Sequence, residues 1–331
     1  MKRFLIIRFS SMGDIVLTSP VIRCLKKTYP DSEIHFLTKP GFASIVNANP
    51  HIHKVWEWDS NNKNTVSELS KLKFDFVVDL HHNLRSLKVK LALKRPSAAF
   101  KKLNIEKYLK VRFKIDRLPK KHIVERYLDT LKKLNVFDDG LGLDFFIPSG
   151  EEFAISSLPD AFQKGYVVLV AGALKATKQM PETKLIELCA QLKQPVIILG
   201  GNAEEELGKS ISSGLNSRVI NYCGKLSLSK SASVIRQSKC VITHDTGLMH
   251  IAAAFKKPLI SIWGNTIPEF GMYPYFPQND VFEYRSEVKG LTCRPCSKIG
   301  YSSCPKGHFK CMMSQNLKEI KKAVDTIMPM M

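Results

Sequence analysis

The sequence predicts an α/β protein of two doubly wound domains, residues 1–150 and 151–331. Three observations predict it. Short Val/Ile/Leu-rich runs alternate with amphipathic segments in two separate series. Between the series lies "DDGLGLDFFIPSGEE", rich in glycine and acids, which reads as a linker. A chain of 331 residues with 44% hydrophobic side chains is long enough for two cores.

The first series opens with "KRFLIIRF", an apolar run of strand length. "IVLTSPVIRCLKKTYP" follows as a helix, which Pro20 either opens or kinks. "SEIHFLTKP" is a second strand and "GFASIVNANP" a short helix. "HKVWEWD", "TVSELSKLK" and "FDFVVDLH" read as strand, helix, strand, and "NLRSLKVKLALKR" as a basic helix. After Arg95 the pattern loosens into "LNIEKYLKVRFKIDRLPKKH", basic and interleaved with aromatics; "IVERYLDTLKKLNVF" is helical again.

The second series restarts with the strand "GYVVLVAGA" and the helix "PETKLIELCAQLK", with Pro181 at its start. "QPVIILGG", "AEEELGKSISSG", "SRVINYCG" and "SLSKSASVIRQS" continue the alternation. "KCVITHD", "TGLMHIAAAF" and "KPLISIWG" complete a strand-helix-strand unit. The last helix, "SQNLKEIKKAVDTIM", is expected to pack back on the first domain. Two such domains are expected to face each other across a cleft, with ligands at the carboxyl ends of the strands.

Net charge is +20, and it is unevenly spread. Residues 84–133 hold 17 Lys/Arg against four acids, so +13 of the excess lies there. A field of one sign calls for an anionic partner: nucleic acid, a membrane surface or a phosphorylated substrate. The bland alternative is a solvated basic helix face. The N-terminal apolar run stops at Arg8, too short for an export signal, and no run is long enough to span a bilayer. A cytoplasmic protein, peripheral to a membrane, is expected.

Of eight cysteines, Cys24, Cys189, Cys223 and Cys240 sit in apolar or helical contexts and read as core thiols. Cys293, Cys296, Cys304 and Cys311 cluster, with His308 nearby. In a reducing compartment this spacing admits a structural zinc, or free thiols bracing a loop. A catalytic metal is not expected, because four cysteines leave no open position.

Strand carboxyl ends are where chemistry is expected. The first loop, Ser10 to Asp14, lacks both the dinucleotide and the phosphate-loop glycine fingerprints. Gly13 permits a tight turn and close ligand approach. Asp14 in the first helical turn is either a cap or a group placed for chemistry. The loop Asp245-Thr246-Gly247 precedes a clear helix, where free N–H groups and the helix dipole suit a phosphate. His250 lies one turn in, facing a ligand or capped at the surface. Lys175 and Lys178 each reach a phosphate as a point charge, or are merely solvated. Glu204, after a glycine pair, suits ribose hydroxyls or the helix dipole.

Together, "FSSMGDIVLTSPVIRCLKKTYP", "DLHHNLRS", "HIVERYLDTL", the K-x-M-P run at Lys178 to Pro181 and "DTGLMHIAAA" resemble glycosyltransferase family 9. Its best-known members are ADP-heptose:lipopolysaccharide heptosyltransferases. The resemblance covers nearly the whole chain. It implies the GT-B fold and metal-independent transfer with inversion at the sugar, and no D-x-D motif is present. It implies Asp14 as general base. It places Ser11, Gly13, Lys178, Glu204, Asp245, Thr246, Gly247 and His250 at the nucleotide-sugar donor, and Arg85 and Arg126 at the acceptor. No cofactor is then required; the nucleotide sugar is a co-substrate. The implied acceptor is an anionic, lipid-linked saccharide, with residues 84–133 docking on the inner-membrane surface. Met180 stands where the family often has Trp. A nucleic-acid-binding protein is the weaker alternative. The net charge and Tyr108, Phe113 and Tyr127 favour it, but it leaves the Asp-Thr-Gly loop unused. A transferase of the same fold with another donor sugar is a further alternative.

Overall fold

A computed structural model describes residues 1–59, 64–215 and 218–329. By contact density the chain divides into two units. The first comprises residues 1–103 and 121–146; the second comprises 104–120 and 147–331. The basic stretch 84–133 is therefore shared between the units rather than forming one segment.

The first unit holds a five-stranded, all-parallel sheet: β1 (Arg3–Ile7), β2 (Glu33–Thr38), β3 (Lys54–Glu57), β4 (Phe76–Asp79) and β5 (Ser97–Ala99), in spatial order β3-β2-β1-β4-β5. Its helices are α1 (Met12–Val16), α2 (Ser19–Thr28), α3 (Asn64–Lys71), α4 (Leu84–Leu93) and α6 (Ile123–Leu128), while α5 (Asn104–Phe113) belongs to the second unit. Pro20 opens α2 rather than kinking it, because its missing N–H costs nothing in a first turn. Leu5, Ile7, Phe9, Leu37, Val77 and Val89 are fully buried between sheet and helices.

The second unit holds a six-stranded parallel sheet: β6 (Val167–Val170), β7 (Val196–Leu199), β8 (Val219–Asn221), β9 (Cys240–His244), β10 (Leu259–Trp263) and β11 (Glu283–Glu287), in order β11-β10-β9-β6-β7-β8. Helices α7 (Asp160–Gln163), α8 (Glu182–Gln191), α9 (Glu205–Ser212), α10 (Leu228–Gln237), α11 (Gly247–Ala254), α12 (Lys310–Met313) and α13 (Leu317–Ile327) complete it. The α13 helix buries Leu317, Ile320 and Val324 in this unit's own core.

Two edge strands escape the sequence pattern. β5 reads "SAA" and β11 reads "EYRSE". Edge strands pair on one side only and can stay short and polar, so neither carries an apolar run. "IVERYLDTLKKLNVF" is α-helical only to Leu128 and continues as a 3-10 turn over Asp129–Leu134.

Strand order reverses twice. In the first sheet the chain runs outward from β1 one way and from β4 the other; in the second the reversal lies between β6 and β9. Ligands of open parallel sheets bind where such order reverses, at the strand carboxyl ends. Each sheet therefore has one such place.

Candidate active site

In the first unit, the reversal point is occupied by Arg8, Asp14 and their neighbours. Arg8, just after β1, is buried and spends its guanidinium on three anchors. Nε donates to the Ser10 carbonyl at 2.7 Å, Nη1 donates to the Leu80 carbonyl beyond β4, and Nη2 pairs with Asp14 Oδ1 at 2.7 Å. A planar guanidinium held at three points fixes the carboxylate it faces. The other Asp14 oxygen accepts from Ser11 Oγ at 2.8 Å and from the Ser11 N–H at 3.2 Å. The Ser11 N–H precedes the first helical turn, so Asp14 does serve α1 as part of a capping box.

Tyr127 lies fully buried beside this group, its ring 5.8 Å from the Arg8 guanidinium carbon. Burial, with the nearby Asp14 carboxylate adding to it, holds the phenol well above its usual range, so the proton stays on oxygen. Arg126 is buried and donates to the Lys101 carbonyl at 3.3 Å, whereas Arg85 is exposed in the first turn of α4. In the "HIVER" run, His122 and Glu125 form the capping box of α6, the Glu125 carboxylate accepting from the His122 N–H at 2.6 Å.

Asp79 was not singled out from sequence. It ends β4 with no exposure, accepts from the His81 and His82 N–H groups and from Ser86 Oγ, and pairs with Lys90 at 2.9 Å. It ties the loop after β4 to α4. A lone acid closing an apolar run gives no signal, because its partners become neighbours only in the fold.

In the second unit the reversal point carries an ion pair: Lys178 Nζ lies 2.6 Å from Asp245 Oδ2. Lys178 comes from the loop after β6 and Asp245 from the loop after β9, the two strands that flank the reversal. Thr266, after β10, donates its hydroxyl to the same carboxylate at 3.0 Å. Thr246 has extended backbone at the N-cap of α11, with its hydroxyl 3.2 Å from that of Thr243; Gly247 is the first helical residue. A cation is therefore held beside a helix N-terminus, an arrangement suited to a diphosphate. His250 is buried, so it is not a surface histidine.

Glu204 lies at the neighbouring carboxyl end, after β7, and accepts from the Gly201 N–H at 2.8 Å. Its side chain fills the space over Gly172 and Gly200: a Cβ at Gly172 would stand 2.4 Å from Glu204 Cδ. A side chain at Gly172 would push the Glu204 carboxylate out of this place.

His244 was also missed by sequence reading. Buried at the end of β9, its Nε2 accepts from the Met180 N–H at 3.0 Å, tying the Lys178 loop to the strand. Burial holds His244 down to about 4, against an ordinary 6.5. Between these values the unfolded chain binds a proton that the folded chain refuses, so stability is lost as pH falls through that window. His35 and His81 are held down to about 4 as well, so thermal midpoints should drop from pH 6.5 toward 4 and His244→Gln should make that slope shallower by its own share; an unchanged slope would remove His244 from the linkage.

The cysteine lobe is anchored to this site. Arg294 donates to the Gly264 and Thr266 carbonyls and pairs with Glu287 at 2.8 Å, while the Tyr301 N–H donates to Thr177 Oγ1 at 2.8 Å. Cys293 Sγ lies 3.8 Å from His308 Nε2. Burial pushes the Cys296 and Cys311 thiols up to about 11, which keeps them protonated at neutral pH. Among the described residues, the groups whose ligand atoms converge within 4.8 Å are Glu33–His35–His53 and Cys24–Asp138–Asp139, not this lobe. The neighbouring Cys293, Cys304 and Cys311 thiols add to the rise at Cys296, so the four sulfurs share one small lobe.

Two Rossmann-like parallel-sheet units, each with its order reversed near the middle of the sheet, follow the GT-B plan. The family model for glycosyltransferase family 9 (heptosyltransferase) matches residues 64–298, and the chain belongs to that family of glycosyltransferases. It is 27% identical to lipopolysaccharide heptosyltransferase 1 of Campylobacter coli over 79% of this chain and 83% of that one. It is 26% identical to lipopolysaccharide heptosyltransferase 1 of Pseudomonas aeruginosa over 89% of this chain and 86% of that one. Among solved structures, the E. coli ADP-heptose lipopolysaccharide heptosyltransferase II superposes with a TM-score of 0.73 at 19% identity, covering 99% of this chain and 98% of that one.

Proposed function

We propose that this chain transfers a heptose from ADP-heptose to a lipopolysaccharide inner-core acceptor, inverting the anomeric centre in a single displacement. The observation that carries the reading is the Lys178–Asp245 pair beside the N-terminus of α11. It is supported by relatives named as lipopolysaccharide heptosyltransferases over most of the chain.

An acceptor hydroxyl attacks the anomeric carbon on the face opposite the diphosphate. The new C–O bond forms as the old one breaks, and the nucleoside diphosphate departs with the electron pair. The hydroxyl proton passes to Asp14 Oδ2, the oxygen that Ser11 now occupies. Lys178 and the N–H groups opening α11 take up the charge on the leaving group. Glu204 accepts from the ribose hydroxyls. No step calls for a metal ion. Arg85 and Arg126 contact the anionic part of the acceptor, and the basic residues of 84–133 favour an anionic membrane surface.

The test is a donor panel. ADP-heptose should turn over in the presence of EDTA with a product of inverted configuration, while UDP-, GDP- and CMP-sugars should not. Transfer from another donor, a retained configuration or loss of turnover in EDTA would each overturn the matching part. Gly172→Ala gives an independent check on Glu204. The added Cβ must displace that carboxylate, and loss of a charge-assisted bond should weaken ADP binding about tenfold with the fold intact. Calorimetry showing unchanged affinity would remove Glu204 from the ribose.

A further inference from the structure

The outward face of α4 is unusual. Leu84, Leu87 and Leu91 are 76%, 44% and 65% exposed, and at spacings of three and four they form one stripe. Arg85, Lys88, Lys94 and Arg95 are exposed around them, and α4 contains no acidic residue. Its opposite face is fully committed: Ser86, Val89 and Leu93 are buried, and Lys90 pairs with Asp79. Exposed single leucines are ordinary on a protein surface. A leucine stripe flanked only by cations is not, because it disfavours both water and a neutral protein partner. It matches an anionic lipid surface, where leucines enter the acyl boundary and lysine stems lie along it with their charges among headgroups.

We propose that α4 is a membrane-inserting helix, with Leu84, Leu87 and Leu91 as the buried anchor and the surrounding cations as the headgroup contacts. This rests on the reading of a lipid-linked acceptor and names the partner surface for it. The helix is also tied to the reaction centre. Asp79 binds Ser86 and Lys90 of α4, and the next residue, Leu80, accepts from Arg8, which holds Asp14. The depth of α4 in the bilayer therefore sets the height of Asp14 above it. Charge attraction alone predicts binding that salt abolishes; an inserted leucine stripe predicts a component that salt leaves in place.

The experiment is vesicle sedimentation of the full chain with phosphatidylglycerol–phosphatidylcholine and with pure phosphatidylcholine vesicles. A variant carrying Leu84→Gln, Leu87→Gln and Leu91→Gln keeps good helix formers at each position. At about 1 M salt, where the Debye length is about 3 Å, the wild type should keep measurable binding to anionic vesicles, and the variant should bind at least about tenfold less. Lys88→Gln with Lys94→Gln and Arg95→Gln should instead lose the salt-sensitive part. Transfer to a de-acylated, water-soluble acceptor should be unchanged in the leucine variant, and transfer to vesicle-embedded acceptor should fall. Equal salt-resistant binding by wild type and leucine variant would overturn the proposal. So would a wild-type dimer in sedimentation that the variant lacks, since a second copy would then cover the face. If the soluble acceptor is not used by either protein, the transferase reading fails while the vesicle result still decides this one.

Discussion

Asp14→Asn should abolish transfer by about two to four orders of magnitude while leaving ADP affinity close to wild type, with some loss of thermal stability from the Arg8 ion pair. The choice of Asn matters. Asp14 has two tasks in the structure: it closes the capping box with Ser11, and it presents a carboxylate fixed by Arg8. Either reading alone explains an acid in a first helical turn. An amide oxygen can still accept from the Ser11 N–H and keep the cap, but its NH2 then faces the Arg8 guanidinium, which loses its carboxylate partner. The amide cannot take a proton at neutral pH, so the base does not survive. Asp14→Ala removes both, and should add a stability loss of about 1 kcal/mol to the loss of turnover. Measurement of single-turnover rates and ADP binding on the same preparations separates the roles. Near-normal turnover in the Asn variant would leave Asp14 as a cap only.

Lys178→Met should lower kcat/KM by about 10²–10³, the cost of removing one important leaving-group donor. Part of that loss is repulsion. Without the ammonium, Asp245 faces an incoming diphosphate as an unscreened like charge, although Thr266 still donates to it. Adding Asp245→Asn to Lys178→Met should therefore recover part of the ADP affinity, a non-additivity expected of paired charges. Steady-state kinetics with ADP affinities for both single variants and the double variant provides the cycle. Strictly additive losses would mean that Asp245 acts apart from Lys178; wild-type kinetics in Lys178→Met would remove the lysine from the reaction.

Much of this site was legible as residue types in loops. Asp14, Lys178, Glu204, Asp245 and Thr246 all follow apolar runs of strand length, the position at which open parallel sheets take their ligands. The groups that hold them were not legible. Arg8 looked like the charged end of a strand, and Asp79 and His244 looked like ordinary strand endings. Their meaning depends on Leu80, Lys90 and Met180, which are distant in sequence and adjacent only across a sheet. The cysteine lobe is held to its unit by Arg294 and Tyr301, through hydrogen bonds that no spacing rule contains.

The sequence by itself determined the two parallel-sheet units, because hydrophobic periodicity fixes which segments are buried on both faces and alternation fixes their parallel connection. It also determined which loops carry polar groups, since those groups interrupt the apolar pattern. Only the tertiary structure decided strand order, and with it where the order reverses. Arg8 could meet the β4 loop, and Lys178 could meet Asp245, because β1 adjoins β4 and β6 adjoins β9. Strand adjacency is a property of the assembled sheet, selected by packing over the whole surface, and no local window of residues contains it.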